Sequence, residues 1–424
     1  MEFNLYNLQG MLQDYLYRSG LRRNFKSLSL CGRGVIPVKG EKSAIYVLKT
    51  EDSKDATFFG HTTCKNSWAC PVCSVKRMHR HSIRIAAAID ALHKVGQVPI
   101  MITFTVMHNR FMSCKETTDI LYAAWKLFIH RGNKKTAHRN DIYSSFREDC
   151  GSTHQVRVAE VTFGSHGWHP HFHVLFWVNK YRVNVASKYE TKLRRRWDDC
   201  VKQATLKIWK IVRPELSDEA ALRKFCKLMR HANPESKGLY LSRTPSGGVL
   251  IQQSSSYVCG WTADKELTGS GFKKARAGHY TPIQILEIAY NLPAGRERDR
   301  WLSLYAEFIQ AVTGSSFHAR INYSSHSGIT GIINDELKHS DANYCKETKK
   351  TWRVVCTLTP SQWEKITYLN GCDIPIKQHI LELAVLPNPK DLINFYLSLY
   401  DIRLDVKPHN LENIVESVFN ARAA

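Results

Sequence analysis

The chain has 424 residues, about three domains at roughly 150 residues each. Hydrophobic residues are 43% and charged residues 23%, close to globular averages, which excludes a disordered or fibrous chain. No apolar run approaches the roughly 18 to 20 residues of a membrane span, and MEFNLYNLQG lacks the basic-then-apolar order of a secretory signal, so a cytoplasmic protein without a membrane partner is expected.

Charge is the outlier. Lys plus Arg number 60 against 38 Asp plus Glu, a net charge of +22. Residues 351–424 hold 7 basic and 8 acidic side chains, so the whole excess lies in the first 350 residues. A localised basic excess is the footprint of a polyanion partner, most often nucleic acid. The competing reading is a merely solvated surface.

Along the chain, the first landmark is Cys31, followed by Cys64-KNSWA-Cys70-PV-Cys73. In a reducing compartment, clustered thiols read as metal ligands before disulfides. Cys70 and Cys73 have knuckle spacing for one tetrahedral zinc, with Cys64 as third ligand. The fourth is Cys31 across a long loop, or His61. Next, SVKRMHRHSIRIAAAIDALHKVG has Ile85, Ala88, Ile89 and Leu92 at helical spacing and Gly96 as a stop. Its basic side chains Lys76, Arg77, Arg80 and Arg84 suit a phosphate backbone, or simply a solvated face.

Residues 98–108 read as a buried strand and 117–130 as a helix. HQVRVAEVTF and PHFHVLFWV then form a hairpin around GSHGWH. A basic helix follows around KYETKLRRRWDDCVKQA, with Lys192, Arg194, Arg195 and Arg196 as a DNA-binding face. Residues 238–242 and 248–253 read as short strands, and SSSYVCGWTADKELTG as a Ser-capped helix. Residues 351–424 look separate and mostly helical. This order predicts an α+β fold, an antiparallel sheet with helices on one face. The expected divisions are 1–95 for zinc and DNA binding, 96–290 for a core, 291–350 for its extension and 351–424 for a C-terminal segment.

Alternate strand residues share a face, so His169, His171 and His173 project together while Phe172, Val174 and Phe176 enter the core. If the hairpin turns between Ser165 and His166, Glu160 lies opposite His171. Two imidazoles and a carboxylate suit a divalent ion, Mn²⁺ more readily than Mg²⁺. The plainer alternatives are structural histidines and a buried structural Glu.

WACPVC, MITFTVMH, Glu160 and GWHPHFHVLFW, in this order, resemble the rolling-circle replication initiators of small bacterial and archaeal plasmids, members of the His-hydrophobic-His endonucleases. The resemblance runs from about residue 31 to about 290. It implies a ferredoxin-like sheet, a catalytic Mn²⁺ or Mg²⁺, and a tyrosine that nicks plasmid DNA at the double-strand origin. A 5′-phosphotyrosine forms and a 3′ hydroxyl is freed for a host polymerase, with a host helicase as further partner. Tyr257-Val-Cys-Gly260-Trp261 and the following FKKARAGHYTP match the family's nucleophile segment, except that Gly260 stands where a lysine usually does. Lys265, Lys273 and Lys274 are candidate substitutes. Tyr189-Glu-Thr-Lys192 fits the short motif too, but Tyr257 has the fuller match. His169 is a candidate helper, and Asp264 a candidate base for the closing cleavage. Competing functions are a relaxase or single-strand transposase of the same superfamily, and a non-catalytic, zinc-dependent DNA-binding protein.

Overall fold

The computed structural model describes residues 5–37, 43–52, 55–129, 141–231, 238–251, 278–313, 321–323, 328–339, 352–370 and 375–404. Helix α1 (Leu5–Arg18) buries Leu8, Met11, Leu12 and Leu16, a spacing that gives one apolar face. The single turn α2 (Lys26–Ser29) follows. Strands β1 (Ile45–Thr50) and β2 (Ala56–Phe59) pair antiparallel, with Tyr46 opposite Phe59. Helix α3 (Pro71–Lys94) starts inside the cysteine knuckle. Cys70 is its N-cap, and Pro71 fills a first-turn position whose N–H would have no helical partner.

The central unit runs β3 (Gln97–Thr105), α4 (Cys114–Ile129), α5 (Ile142–Asp149), the hairpin β4 (His154–Gly164) and β5 (Gly167–Asn179), α6 (Val183–Val212), α7 (Asp218–His231) and β6 (Leu239–Leu241). A two-residue β7 (His279–Tyr280) pairs with the Gly164 end of β4. Helices α8 (Pro282–Asn291) and α9 (Arg296–Thr313) follow, and β8 (Ile321–Tyr323) pairs with β4 farther from the hairpin turn, at Val156–Val158. Helix α10 (Ile329–His339) packs on α3. The chain continues through β9 (Trp352–Leu358), α11 (Pro360–Leu369), α12 (Ile376–Ala384) and α13 (Pro389–Ser398).

The larger sheet has the order β6-β3-β5-β4, with β7 and β8 both on the outer edge of β4, and every pairing is antiparallel. The fold is therefore α+β. Residues 248–253, expected as a strand, contribute only single bridges at Val249 and Ile251 within the described part.

One face of this sheet lies under α4, α5 and α6. Phe104 meets Trp125 and Trp197 edge-on at 5.2 and 5.0 Å, and Phe176 meets Phe146 at 5.4 Å. Phe104, Phe146 and Phe172 are fully buried, each worth roughly 1.5–3 kcal/mol in transfer terms. Trp197 Nε1 donates to the Thr105 carbonyl at 2.7 Å, so the indole satisfies its one donor inside the core. Glu116 on α4 is 3% exposed, and accepts from Trp209 Nε1 at 2.6 Å and from both terminal nitrogens of Arg213. That fork ties α4 to the end of α6 and satisfies a charge that burial alone would penalise.

Helices were expected on one face only, but α3 and α10 cover half of the other. Ile85, Ile89, Leu92, Ile329 and Ile333 cluster with Met101, Val156, Val158, Leu175 and Trp177. The other half of that face carries Thr103, Glu160, His171 and His173, and the last three are 8–9% exposed.

Residues 352–404 are not set apart either. β9 pairs with β1, giving a three-stranded sheet β2-β1-β9, and Asn370 Nδ2 donates to the Tyr6 carbonyl. The last helices are amphipathic and find their apolar partner in the N-terminal part. Among the described residues, no helix is long and apolar enough to cross a membrane.

The hairpin turn sits tightly against the loop after β3. Gly167 has φ +89°, and a Cβ there would lie 2.9 Å from Arg110 Cα and 3.0 Å from the Asn109 carbonyl. Gly167→Ala is expected to lower stability by about 1–3 kcal/mol through backbone strain and overlap. A urea midpoint unchanged from the parent would contradict that close approach.

Candidate functional site

Four thiols converge where the N-terminal loop meets the start of α3. The Sγ atoms of Cys31, Cys64, Cys70 and Cys73 all lie within 4.8 Å of one another. Cys31 Sγ is 3.5 Å from Cys73 Sγ and 3.7 Å from Cys70 Sγ. A tetrahedral site with metal–sulfur bonds of about 2.3 Å has edges of about 3.8 Å, so the thiols already have the required spacing. Amide groups surround the sulfurs: Cys64 N–H points at Cys31 Sγ at 3.3 Å and Cys73 N–H at Cys70 Sγ at 3.4 Å. Hydrogen bonds from neighbouring thiols hold Cys73 and Cys31 below the ordinary thiol range; burial pushes Cys70 well up.

The fourth position belongs to Cys31. His61, the alternative, lies outside the four-thiol group, with its ring 6.0 Å from that of Trp363. Two contributors escaped the sequence reading. Gln9 on α1 donates to Cys70 Sγ at 3.2 Å. Lys377 on α12 is 3% exposed, donates to the Gly32 carbonyl at 3.3 Å and lies 4.9 Å over the Trp363 ring. Burial, helped by Arg33, pulls its pKa down to about 7 against the pull of Cys31 and Cys70. A dication held by four thiolates carries a net −2 charge, the counterion that a buried ammonium requires. The 3–4 apolar spacing around Gln9 was a visible helix signal; a lone Lys 300 residues away had none.

The second cluster is buried on the half of the sheet face that α3 and α10 leave to it. The register pairs Glu160 with His171 and Val158 with His173, as a turn between Ser165 and His166 demands. Glu160 Oε2 is 3.2 Å from His171 Nε2 and 3.3 Å from His173 Nε2, and the two Nε2 atoms are 3.1 Å apart. Neighbouring ligands of an ion with bonds of about 2.0–2.2 Å lie about 2.8–3.6 Å apart. The three atoms thus form one ready face of a coordination shell.

The far side of each imidazole is also engaged. His171 Nδ1 faces the His169 carbonyl at 3.4 Å, and His173 Nδ1 faces Thr103 Oγ1 at 3.0 Å. A carbonyl can only accept, so the hydrogen bond between His171 Nδ1 and the His169 carbonyl is donated by the imidazole. Burial pushes the Glu160 carboxyl up, but His171 and His173 outweigh it and hold it well below the usual carboxylate range. It is therefore ionised, as a ligand must be.

His169 shares this face. Its ring is 5.0 Å from that of His171 and 4.9 Å from that of His108. Burial and then the charge of His171 hold its pKa well below the ordinary imidazole value, so it is neutral and a weak base. His108, on the loop after β3, donates from Nδ1 to the Val106 carbonyl at 3.1 Å, and burial brings its pKa to about 4. The sequence named neither His108 nor Thr103; for Thr103 the signal was its odd position in the β3 alternation.

Tyr189 lies elsewhere. Its helix, α6, covers the opposite face of the sheet, and its ring packs on Phe146, which packs on Phe176. Its hydroxyl is hydrogen-bonded to the Asp149 carboxylate, which raises its pKa to about 12. Tyr257, Gly260, Asp264, Lys265, Lys273 and Lys274 lie outside the described residues.

The basic side chains divide likewise. On α3, Arg80 is exposed, Arg77 and Arg84 are half-buried, and the Arg84 guanidinium lies 5.4 Å over the Tyr323 ring. On α6, Lys192 and Arg195 are exposed, with Lys192 Nζ 5.8 Å over the Tyr189 ring. Arg194 donates to the Leu239 carbonyl at 3.1 Å, and Arg196 donates to the Phe128 carbonyl and pairs with Asp141. Those two guanidiniums thus join α6 to β6 and α4, while the Arg194 side chain stays 45% exposed.

Comparison with protein-family models, with curated proteins and with solved structures returned no match.

The geometry distinguishes the thiol ligands from His61. Cys31→Ser should remove one bound metal ion per chain in elemental analysis, whereas His61→Ala should leave the metal content intact. The reverse pattern would transfer the fourth position to His61.

Proposed function

We propose that the protein is a rolling-circle replication initiator that nicks and rejoins one DNA strand through a 5′-phosphotyrosine. The observation that carries this reading is the triad of Glu160, His171 and His173, with ligand atoms 3.1–3.3 Å apart on one face of the sheet. The succession β3-α4-β4-β5-α6-β6 in the order β6-β3-β5-β4 supports a ferredoxin-like core of the His-hydrophobic-His type. The basic excess of the chain supports a DNA partner.

Glu160, His171 and His173 would hold Mn²⁺ or Mg²⁺, and the mixed nitrogen and oxygen set favours Mn²⁺. When bound, the ion supplies Lewis-acid withdrawal of charge from the scissile phosphate. Thr103 and the His169 carbonyl keep the two imidazoles turned toward that phosphate. Zinc suits the four cysteines, where it would lock the N-terminal loop to α3.

The nucleophile in this reading is Tyr257. Tyr189 is disfavoured because it lies across the sheet and shares its proton with Asp149. The phenolic oxygen attacks phosphorus, the bond to the 3′ oxygen breaks, and the proton passes to that oxygen. One phosphodiester is exchanged for another, so rejoining needs no nucleotide cofactor. His169 is a weak proton acceptor and fits a role in orienting the phosphate better than one in taking the proton. The setting is cytoplasmic, at the double-strand origin of a plasmid, with a host helicase and polymerase acting on the opened strand.

Incubation with origin single-stranded DNA and Mn²⁺ should yield a nicked product and a covalent adduct. His171→Ala or His173→Ala should reduce nicking by a factor of about 100 or more, as loss of a metal ligand does, while DNA binding persists. Tyr257→Phe should abolish the adduct and Tyr189→Phe should not. An adduct mapped to Tyr189, or binding without any cleavage by the parent protein, would overturn the reading, the latter in favour of a zinc-dependent DNA-binding protein.

A further inference from the structure

The loop between β3 and α4 carries an aromatic ring that serves no core. Phe111 is 77% exposed, and the Arg110 guanidinium lies 4.9 Å over its ring. The loop itself is fixed. Phe111 N–H donates to Asn109 Oδ1 at 2.9 Å, Met112 N–H donates to the Asn109 carbonyl at 3.1 Å, and Met112 is buried. Gly167 lets the Arg110 backbone press against the hairpin turn. Three residues before Phe111, the His108 ring packs 4.9 Å from that of His169, whose ring is 5.0 Å from that of His171. A rigidly presented, water-exposed ring, paired with a cation, thus stands on the loop whose His108 adjoins the histidine face.

We infer that Phe111 and Arg110 form a stacking site for an unpaired DNA base next to the phosphate held at Glu160, His171 and His173. The inference rests on the nicking reading and adds to it a subsite for the flanking nucleotide. Every base has a π face, so the ring takes any of the four, while the guanidinium reaches an adjacent phosphate. An exposed Phe at a protein–protein contact would not need its loop locked to the catalytic hairpin. A comparable pair, Tyr181 at 84% exposure with Lys180 Nζ 4.9 Å over its ring, sits just beyond the Asn179 end of β5. Eight strand residues separate Asn179 from His171, roughly 26 Å at about 3.3 Å per residue. A trinucleotide engaged at the triad is too short to reach it.

The test uses the full chain, Mn²⁺ and a three-nucleotide oligo-dT with 2-aminopurine at each position in turn. The parent protein should quench the fluorescence at one or two positions. Phe111→Ala should remove that quenching and weaken binding roughly ten-fold. Phe111→Trp should restore both, and Tyr181→Ala should match the parent. Phe111→Ala with unaltered quenching and affinity would overturn this inference while leaving the nicking reading intact. No single-strand binding by the parent would overturn both. Stacking at Phe111 without nicking of origin DNA would support the subsite and overturn only the nicking.

Discussion

The register of one hairpin governs the candidate site. Ser165 and His166 alone form the turn, Gly164 faces Gly167, and Glu160 therefore faces His171. Side chains alternate with period two, so a slip of one residue would send both imidazoles into the aromatic core and Phe172 to the open face. The core enforces the register in return. Phe172 and Phe176 fit only against Trp125 and Phe146, and β3 fixes β5 from its other side through nine paired positions. The polar triad is thus positioned chiefly by apolar packing on the reverse of the same strand.

The thiol cluster plays a parallel part for the N-terminal region. Its ligands come from a loop and the first turn of α3, Gln9 reaches it from α1, and Lys377 from α12. Segments far apart in the chain converge on one small, charge-dense group. The same region is stitched by β1, which lies between β2 and β9. Helix α3 leaves the cysteines and runs onto the triad's face of the main sheet, covering the half not used by the triad. The two candidate metal sites therefore share a rigid connection in α3.

Much of this was legible in the sequence because it depends on local periods. The helical spacing of Ile85, Ile89 and Leu92, the alternation of HPHFHVLFW and the knuckle spacing each report a short-range constraint, and the structure agrees with all three. The pairing of Glu160 with His171 followed from the turn position alone. What was not legible was long-range. The α3–α10 layer, the β1–β9 pairing and the burial of Lys377 join residues hundreds of positions apart, and no local pattern encodes a partner. The internal contacts of Arg194 and Arg196 were hidden for a related reason. A run of cations looks the same whether it faces solvent or caps carbonyls of Leu239 and Phe128.

The pairing of β1 with β9 also bears on how the chain is made. A ribosome adding about 5–20 residues per second needs roughly 15–60 s to pass from the end of β1 at Thr50 to the start of β9 at Trp352. Throughout that interval β1 has its neighbour β2 but lacks the strand that covers its other edge. Row upon row of unmatched amide and carbonyl groups would invite pairing with other nascent chains. The first sheet to emerge is thus the last to close, and synthesis of this protein leaves a window in which its opening segment depends on protection from outside.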